Sequence, residues 1–251
     1  MAEDLELFKK RLLELSEKAE RGLYYTFTDF LGLSEQAAFA EIRTRIRAKY
    51  EAFGGCPGTE RIILRFGDPE EIGYDMPYPI TVLRCEPLSE KFADRLTHRD
   101  FLGSVLGLGI ERDKLGDIPI IDNVGYIFCK EEIADYIKES LTKVKHTDVR
   151  VSIADTLPEG ELFKTKAVTV QIASERLDAL IAKVWSLSRD DAQQLIKRKL
   201  VYVGGRLIES TSYQPKENDV ISIRGKGRMI YLGFGSLSKK GKLNAKVEVY
   251  V

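Results

Sequence analysis

Apolar residues at Leu5, Phe8, Leu12 and Leu15 fall on one stripe of a helix, and this stripe is the first pattern along the chain. YYTFTDFL then breaks the period, and EQAAFAEIRTRIRAKYEAF restores it with Phe39, Ile42, Ile46, Tyr50 and Phe53 before Gly54-Gly55 stops it. Residues 1–58 are therefore expected to form a helical region with one irregular interruption. The basic series Arg43, Arg45, Arg47, Lys49 spreads over more than one helical face, as a solvated surface does.

The period changes repeatedly from about residue 60 to residue 155. RIILRFG and ITVLRCE predict strands, THRDFLGSVLGL a helix, DIPII and VGYIFC two strands about a DN turn, KEEIADYIKESLTKV a helix, and DVRVSIA a last strand. Without the first strand the order is βαββαβ, which suits a ferredoxin-like or RRM-like α+β layer over residues 59–157. TLPEGELFKTKAVTVQIA supplies Pro and Gly for a connector, 158–173, ending in one more predicted strand, Lys166–Ile172. A small basic domain over 174–233 and a basic tail or strand over 234–251 complete an α+β chain.

Composition narrows the class. The chain is 43% hydrophobic and 31% charged, and no apolar run approaches the roughly 18–20 residues that a membrane span needs. The acidic, amphipathic start MAEDLELFKKRLLELSEK does not read as a signal peptide. Cys56, Cys85 and Cys129 are isolated and odd in number, which fits a reducing compartment rather than a disulfide framework or a CxxC metal site. With only His98 and His146 as imidazoles, no metal site is expected. A net charge of zero hides an asymmetry: residues 1–173 carry 24 Lys+Arg against 31 Asp+Glu, and residues 174–251 carry 15 against 8. The C-terminal end is where an anionic partner would dock.

Most candidate chemistry fails on context. His98-Arg99-Asp100 spells the tripeptide of the kinase catalytic loop, but Thr97 followed by Asp100 ahead of FLGSVLGL reads as a capping box, and no phosphate loop, VAIK-like lysine or DFG accompanies it. Gly103, Gly107 and Gly109 lie in or just after a helix, not in a strand-to-helix turn, so they suit packing or a helix end rather than a dinucleotide. Neither a nucleophile motif nor a paired acid and base is present, and no catalytic residue is assigned. Tyr126 and Phe128 share one strand face, and GYIF loosely echoes the strand on which RRM domains stack bases. The competing expectation is that this face packs on the two helices of its own layer, since no basic residue flanks it.

The specific signal begins at Ser174. In SERLDALIAKVWSL, Leu177, Leu180, Ile181 and Val184 form a buried stripe, and in SRDDAQQLIKRK, Ser188 with Asp191 sets a helix start while Ala192, Leu195 and Ile196 point inward. Lys197, Arg198 and Lys199 in the last turn complement the helix dipole. The dipole does not explain why Arg189, Gln193 and Lys197 recur at every fourth position, continued by Arg176 and Lys183 on the preceding helix. Such a line can follow phosphates. Gly204-Gly205 suits a two-residue hairpin turn ahead of Arg206, and Asn218-Asp219 a second turn. Arg224, Lys226 and Arg228 in RGKGR are separated by glycines that allow close approach of backbone to phosphate.

RLDALIAK, LSRDDAQQLI, VYVGGRLI and NDVISI, in this order, resemble the S-four or alpha-L RNA-binding domain, with Gly204 where that family commonly has Asn and Asn218 where it commonly has Gly. Pseudouridine synthases and hemolysin-type methyltransferases carry that domain at the N-terminus with catalytic motifs that this chain lacks, and tyrosyl-tRNA synthetase carries HIGH and KMSKS signatures absent here. YTFTDFLGLSEQ at 25–36, LTHRDFLGSVLGLGIERDKLGDI at 96–118, ERLDALIAK, SRDDAQQLI and SKKGKLNAKVEVYV extend a resemblance to the YlmH family of bacterial RNA-binding proteins over nearly the whole chain.

That resemblance implies an RRM-like region, a C-terminal alpha-L domain and no enzymatic activity. It also implies a cytoplasmic role in ribosome-associated quality control, on large subunits obstructed by peptidyl-tRNA. The expected partners are the large ribosomal subunit and RNA, rRNA first and tRNA beside it, with no membrane, no cofactor and a monomeric chain. The expected RNA-binding residues are Arg176, Lys183, Arg189, Gln193, Lys197, Arg198, Lys199, Arg206, Arg224, Lys226 and Arg228. An RNA-modifying enzyme acting through residues 60–155 and a cell-division interaction protein are the alternatives.

Overall fold

The computed structural model describes residues 2–158, 162–237 and 242–250. Parts of the expected connector (159–161) and tail (238–241 and 251) lie outside the described residues. The chain forms two compact units, residues 1–163 and 164–251.

The first unit opens with helix α1 (Ala2–Gly22), strand β1 (Thr26–Phe27) and helix α2 (Leu33–Ile42). Strands β2 (Tyr50–Phe53) and β3 (Ile63–Phe66) follow, then the short helix α3 (Pro69–Ile72). The α1 stripe buries Leu12 completely and packs Phe8 and Leu15 against Leu31, Ile42, Leu64 and Phe66. The helical period of the second stretch holds only to Ile42. A 3-10 turn over Arg43–Arg45 ends it, and Tyr50–Phe53, expected to be helical, is a strand paired antiparallel with β3. Local period cannot see that RIILRFG needs strand partners on both edges. β3 finds them in β1 and β2, so the first sheet spans residue 58.

The βαββαβ segment follows as β4 (Ile80–Pro87), α4 (His98–Leu106), β5 (Ile120–Ile121), β6 (Val124–Lys130), α5 (Glu131–Ser140), β7 (Lys143–Val144) and β8 (Thr147–Ile153). Its sheet order is β5-β6-β4-β8-β7, with β4 antiparallel to both β6 and β8. Leaving out the short β7, this is the ferredoxin-like arrangement, in which each helix crosses over one intervening strand. Leu83, Cys85, Ile127 and Cys129 face a core completed by Phe101 and Val105 of α4 and Ala134 and Ile137 of α5. At the start of α4 the Asp100 carboxylate accepts from Thr97 N at 2.8 Å and from the Thr97 hydroxyl at 2.7 Å. These bonds hold its pKa below the ordinary value, so the HRD triplet is a helix start.

The second unit contains β9 (Thr165–Ile172), α6 (Leu177–Val184), α7 (Arg189–Lys197), β10 (Val201–Val203), β11 (Arg206–Leu207), β12 (Val220–Ile223), β13 (Gly227–Leu237) and β14 (Leu243–Tyr250). One antiparallel sheet runs β11-β10-β12-β13-β14-β9, so β9, read from sequence as the end of a connector, is an edge strand paired along its length with β14. Leu177, Leu180, Ile181, Ala192 and Ile196 meet Val201, Ile221, Met229 and Val247 in its core. Gly204 (φ 53°) and Gly205 (φ 74°) make the two-residue turn of the β10–β11 hairpin, where Val203 pairs with Arg206. Asn218 takes a left-handed φ of 69°, which asparagine tolerates better than most residues.

Candidate nucleic-acid interface

Both helices of the second unit bury the expected stripes, and α7 starts on a capping side chain while α6 has none. Ser188 Oγ accepts from Asp191 N at 3.0 Å and donates to the Asp191 carboxylate at 2.7 Å. With its start thus fixed, α7 presents Arg189 and Gln193 toward the first turn of α6 rather than outward.

There they meet Asp178, whose side chain is wholly buried. Arg176 donates to it through Nε at 3.1 Å and Nη2 at 3.0 Å, Arg189 through Nε at 3.2 Å, and Gln193 through Nε2 at 2.8 Å. Burial alone pushes the Asp178 carboxyl upward, but the bonds from Gln193, Arg176 and Arg189 outweigh it and hold its pKa below the ordinary value. Arg176 also donates to Thr211 O at 3.3 Å. Three of the residues expected to line RNA are therefore also the partners of a buried charge. Asp178 itself lay in plain sight in the sequence as an acidic residue beside the apolar stripe, but two of its three side-chain partners are eleven and fifteen positions away.

A second set of basic residues closes the two helices. Lys183 closes α6, and Lys197, Arg198 and Lys199 close α7. Arg224 N donates to Leu200 O at 2.9 Å, so the RGKGR turn between β12 and β13 abuts the residue that follows the basic triplet. A Cβ at Gly227 of that turn would stand 3.8 Å from Nε1 of Trp185, the residue after α6. Trp185 thus links the end of α6 to the turn, a role the sequence reading had not assigned. Lys183, Lys197, Arg198 and Lys226 are exposed and make no ion pair among the described residues. Lys199, held at φ 59°, pairs with Glu209 at 2.8 Å. Arg206 is exposed beside the glycine turn. Arg224 lies 5.7 Å from the Tyr202 ring centre and Arg228 3.8 Å from that of Tyr250, which ties both guanidiniums to aromatic faces of the sheet.

The base-stacking expectation for Tyr126 and Phe128 is corrected. Tyr126 is 8% exposed and Phe128 fully buried, in a cluster with Phe30 and Ile63. Their face of β6 is opposite the one that meets α4 and α5, so the packing expected against those helices is also corrected. The covering groups come from the first sheet and its loops, and an RRM-like stacking surface is occluded in this chain. Among the described residues no cluster of three or more metal-ligating side chains occurs, and no helix is long and apolar enough to cross a membrane.

Comparison with known proteins agrees with this division. Residues 77–157 match the family described as "Putative RNA-binding domain in YlmH", and residues 175–221 match the S4 domain. The chain is 27% identical over 257 aligned residues to the "Ribosome-associated protein quality control protein P2" of Bacillus subtilis (strain 168), covering 98% of this chain and 95% of that protein. A solved structure, "Cell division protein ylmH from Streptococcus pneumoniae", is 21% identical with a TM-score of 0.46, covering 59% of this chain and 90% of the other. The chain carries a YlmH-type domain followed by an S4 domain, and the YlmH family resemblance read from its sequence is borne out.

Proposed function

We propose that this protein is a non-enzymatic, cytoplasmic RNA-binding protein that acts in ribosome-associated quality control. Its target is structured rRNA, with tRNA beside it, on a large subunit obstructed by peptidyl-tRNA. The observation that carries the reading is the hydrogen bond from Arg224 N to Leu200 O, which sets the RGKGR turn bearing exposed Lys226 against the end of α7 bearing exposed Lys197 and Arg198. Exposed cations on a rigid helix–turn scaffold contact phosphates without reading bases, so affinity would come mainly from counterion release and selectivity from RNA shape. The B. subtilis relative, named for ribosome-associated quality control, supplies the biological setting.

The test is co-sedimentation of purified large ribosomal subunits with wild type and with Lys197→Glu/Lys226→Glu. The double variant should bind at least tenfold more weakly, with a shallower salt dependence. Unchanged co-sedimentation would remove this surface from the reading.

A further inference from the structure

We propose that Asp178 organises a phosphate-binding fork in which Arg176 and Arg189 are held side by side with their remaining N–H donors turned to RNA. The inference rests on the RNA-binding reading above and deepens it by naming the group recognised, a backbone phosphate, and the residue that positions its ligands.

Arg176 Nη2 and Arg189 Nε bind the same oxygen, Asp178 Oδ2, at 3.0 and 3.2 Å, so the two nitrogens lie no farther apart than the sum of those lengths. Two guanidiniums brought so close repel one another unless an anion stands between them. The buried carboxylate neutralises one of the two charges and leaves the trio with a net positive charge. Gln193 Nε2 is a third donor to Oδ2, at 2.8 Å, so that oxygen is shared between α6 and α7 side chains.

The donors not used by Asp178 make the site. Arg189 spends only Nε on the carboxylate, and its side chain is 50% exposed, so Nη1 and Nη2 have no partner among the described residues. Arg176 spends Nε and Nη2, is 33% exposed, and keeps Nη1. A phosphate presents several oxygens, and a guanidinium edge binds two of them at once, which a flexible ammonium does not reproduce. Arg176 alone already holds the carboxylate bidentately, through Nε to Oδ1 and Nη2 to Oδ2, and Arg189 adds one bond while keeping both of its terminal amino groups unused.

Asp178→Asn separates charge from position because the two predict opposite signs. Removing a negative charge from a basic face should tighten RNA binding if only net charge matters. Loss of the fork should weaken it. Against purified bacterial large ribosomal subunits, Asp178→Asn is expected to bind roughly tenfold more weakly. Its plot of log affinity against log salt should be shallower by roughly one, the loss of one phosphate contact. Arg189→Lys keeps the charge and can keep the bond to Asp178, but lacks the paired outer donors. It should weaken binding several-fold with an unchanged Trp185 melting curve, and the double variant should bind no worse than the weaker single variant.

Asp178→Asn binding as tightly as wild type or tighter, or Arg189→Lys binding as wild type, overturns the proposal. If Asp178→Asn fails to fold, Arg189→Lys decides alone. Should Lys197→Glu/Lys226→Glu keep its loss of binding while these variants bind normally, the fork fails and the RNA-binding reading stands. Should all of them bind normally, the reading itself has failed.

Discussion

Phe128→Ala tests whether the aromatic pair of β6 is core or an RNA-stacking surface. Its ring has no exposed surface and packs among Phe30, Ile63 and Tyr126. The surroundings are shaped to the ring: a Cβ added at Gly116 would lie 2.8 Å from Phe128 Cβ, and one at Gly55 2.5 Å from Phe128 Cδ1. Truncation removes the apolar transfer energy of the ring and leaves a cavity that these backbone walls cannot fill, a loss of about 3–5 kcal/mol. With a urea dependence of about 2 kcal/mol per molar, the unfolding midpoint of the first unit should fall by roughly 1.5–2.5 M. Far-ultraviolet circular dichroism reports that transition, while Trp185, the only tryptophan, reports the second unit and should be unmoved. At a temperature where the variant remains folded, its affinity for RNA should equal wild type. A variant that kept its stability and lost RNA affinity would refute the burial argument and restore the ring as a stacking platform.

Further outcomes follow from the second unit and from the thiols. Ser188→Ala removes the acceptor for Asp191 N and should cost the second unit about 1 kcal/mol, seen as a lower Trp185 melting temperature. Gly204→Ala meets no atom within 4 Å, so its cost, on the order of 1 kcal/mol, should arise from the left-handed φ of 53° alone, and Gly204→Asn should recover most of it. The folded-state pKa of Asp178 is lowered from 3.8, so its contribution to stability is complete above that value and is lost as pH falls through the lower folded pKa. An acid titration of Trp185 fluorescence should therefore show the second unit weakening below about pH 4, and Asp178→Asn should abolish that component. Burial pushes the Cys85 and Cys129 thiols up to about 12, while Cys56 is only half-buried. Ellman's reagent should titrate Cys56 first and reach the other two only on unfolding, and three equally fast thiols would contradict the packing.

Much of the fold is legible in local pattern because its causes are local. The capping pairs Thr97–Asp100 and Ser188–Asp191, the glycine hairpin at 204–205 and the βαββαβ order depend on residues a few positions apart, and each stands where the sequence places it. The charge asymmetry likewise needs no structure. The chain by itself determined the ferredoxin-like layer, the S4 domain and the basic end. Tertiary structure decided what depends on partners distant in sequence: that Tyr50–Phe53 is a strand, because β3 offers it an edge, and that Tyr126 and Phe128 are covered from the first sheet. It decided too that the evenly spaced line Arg189, Gln193, Lys197 divides, since a buried carboxylate in another helix claims the first two side chains and leaves the third to solvent. Periodicity sorts residues by face, but only the packed neighbours determine whether a polar face meets water, a buried charge or a phosphate.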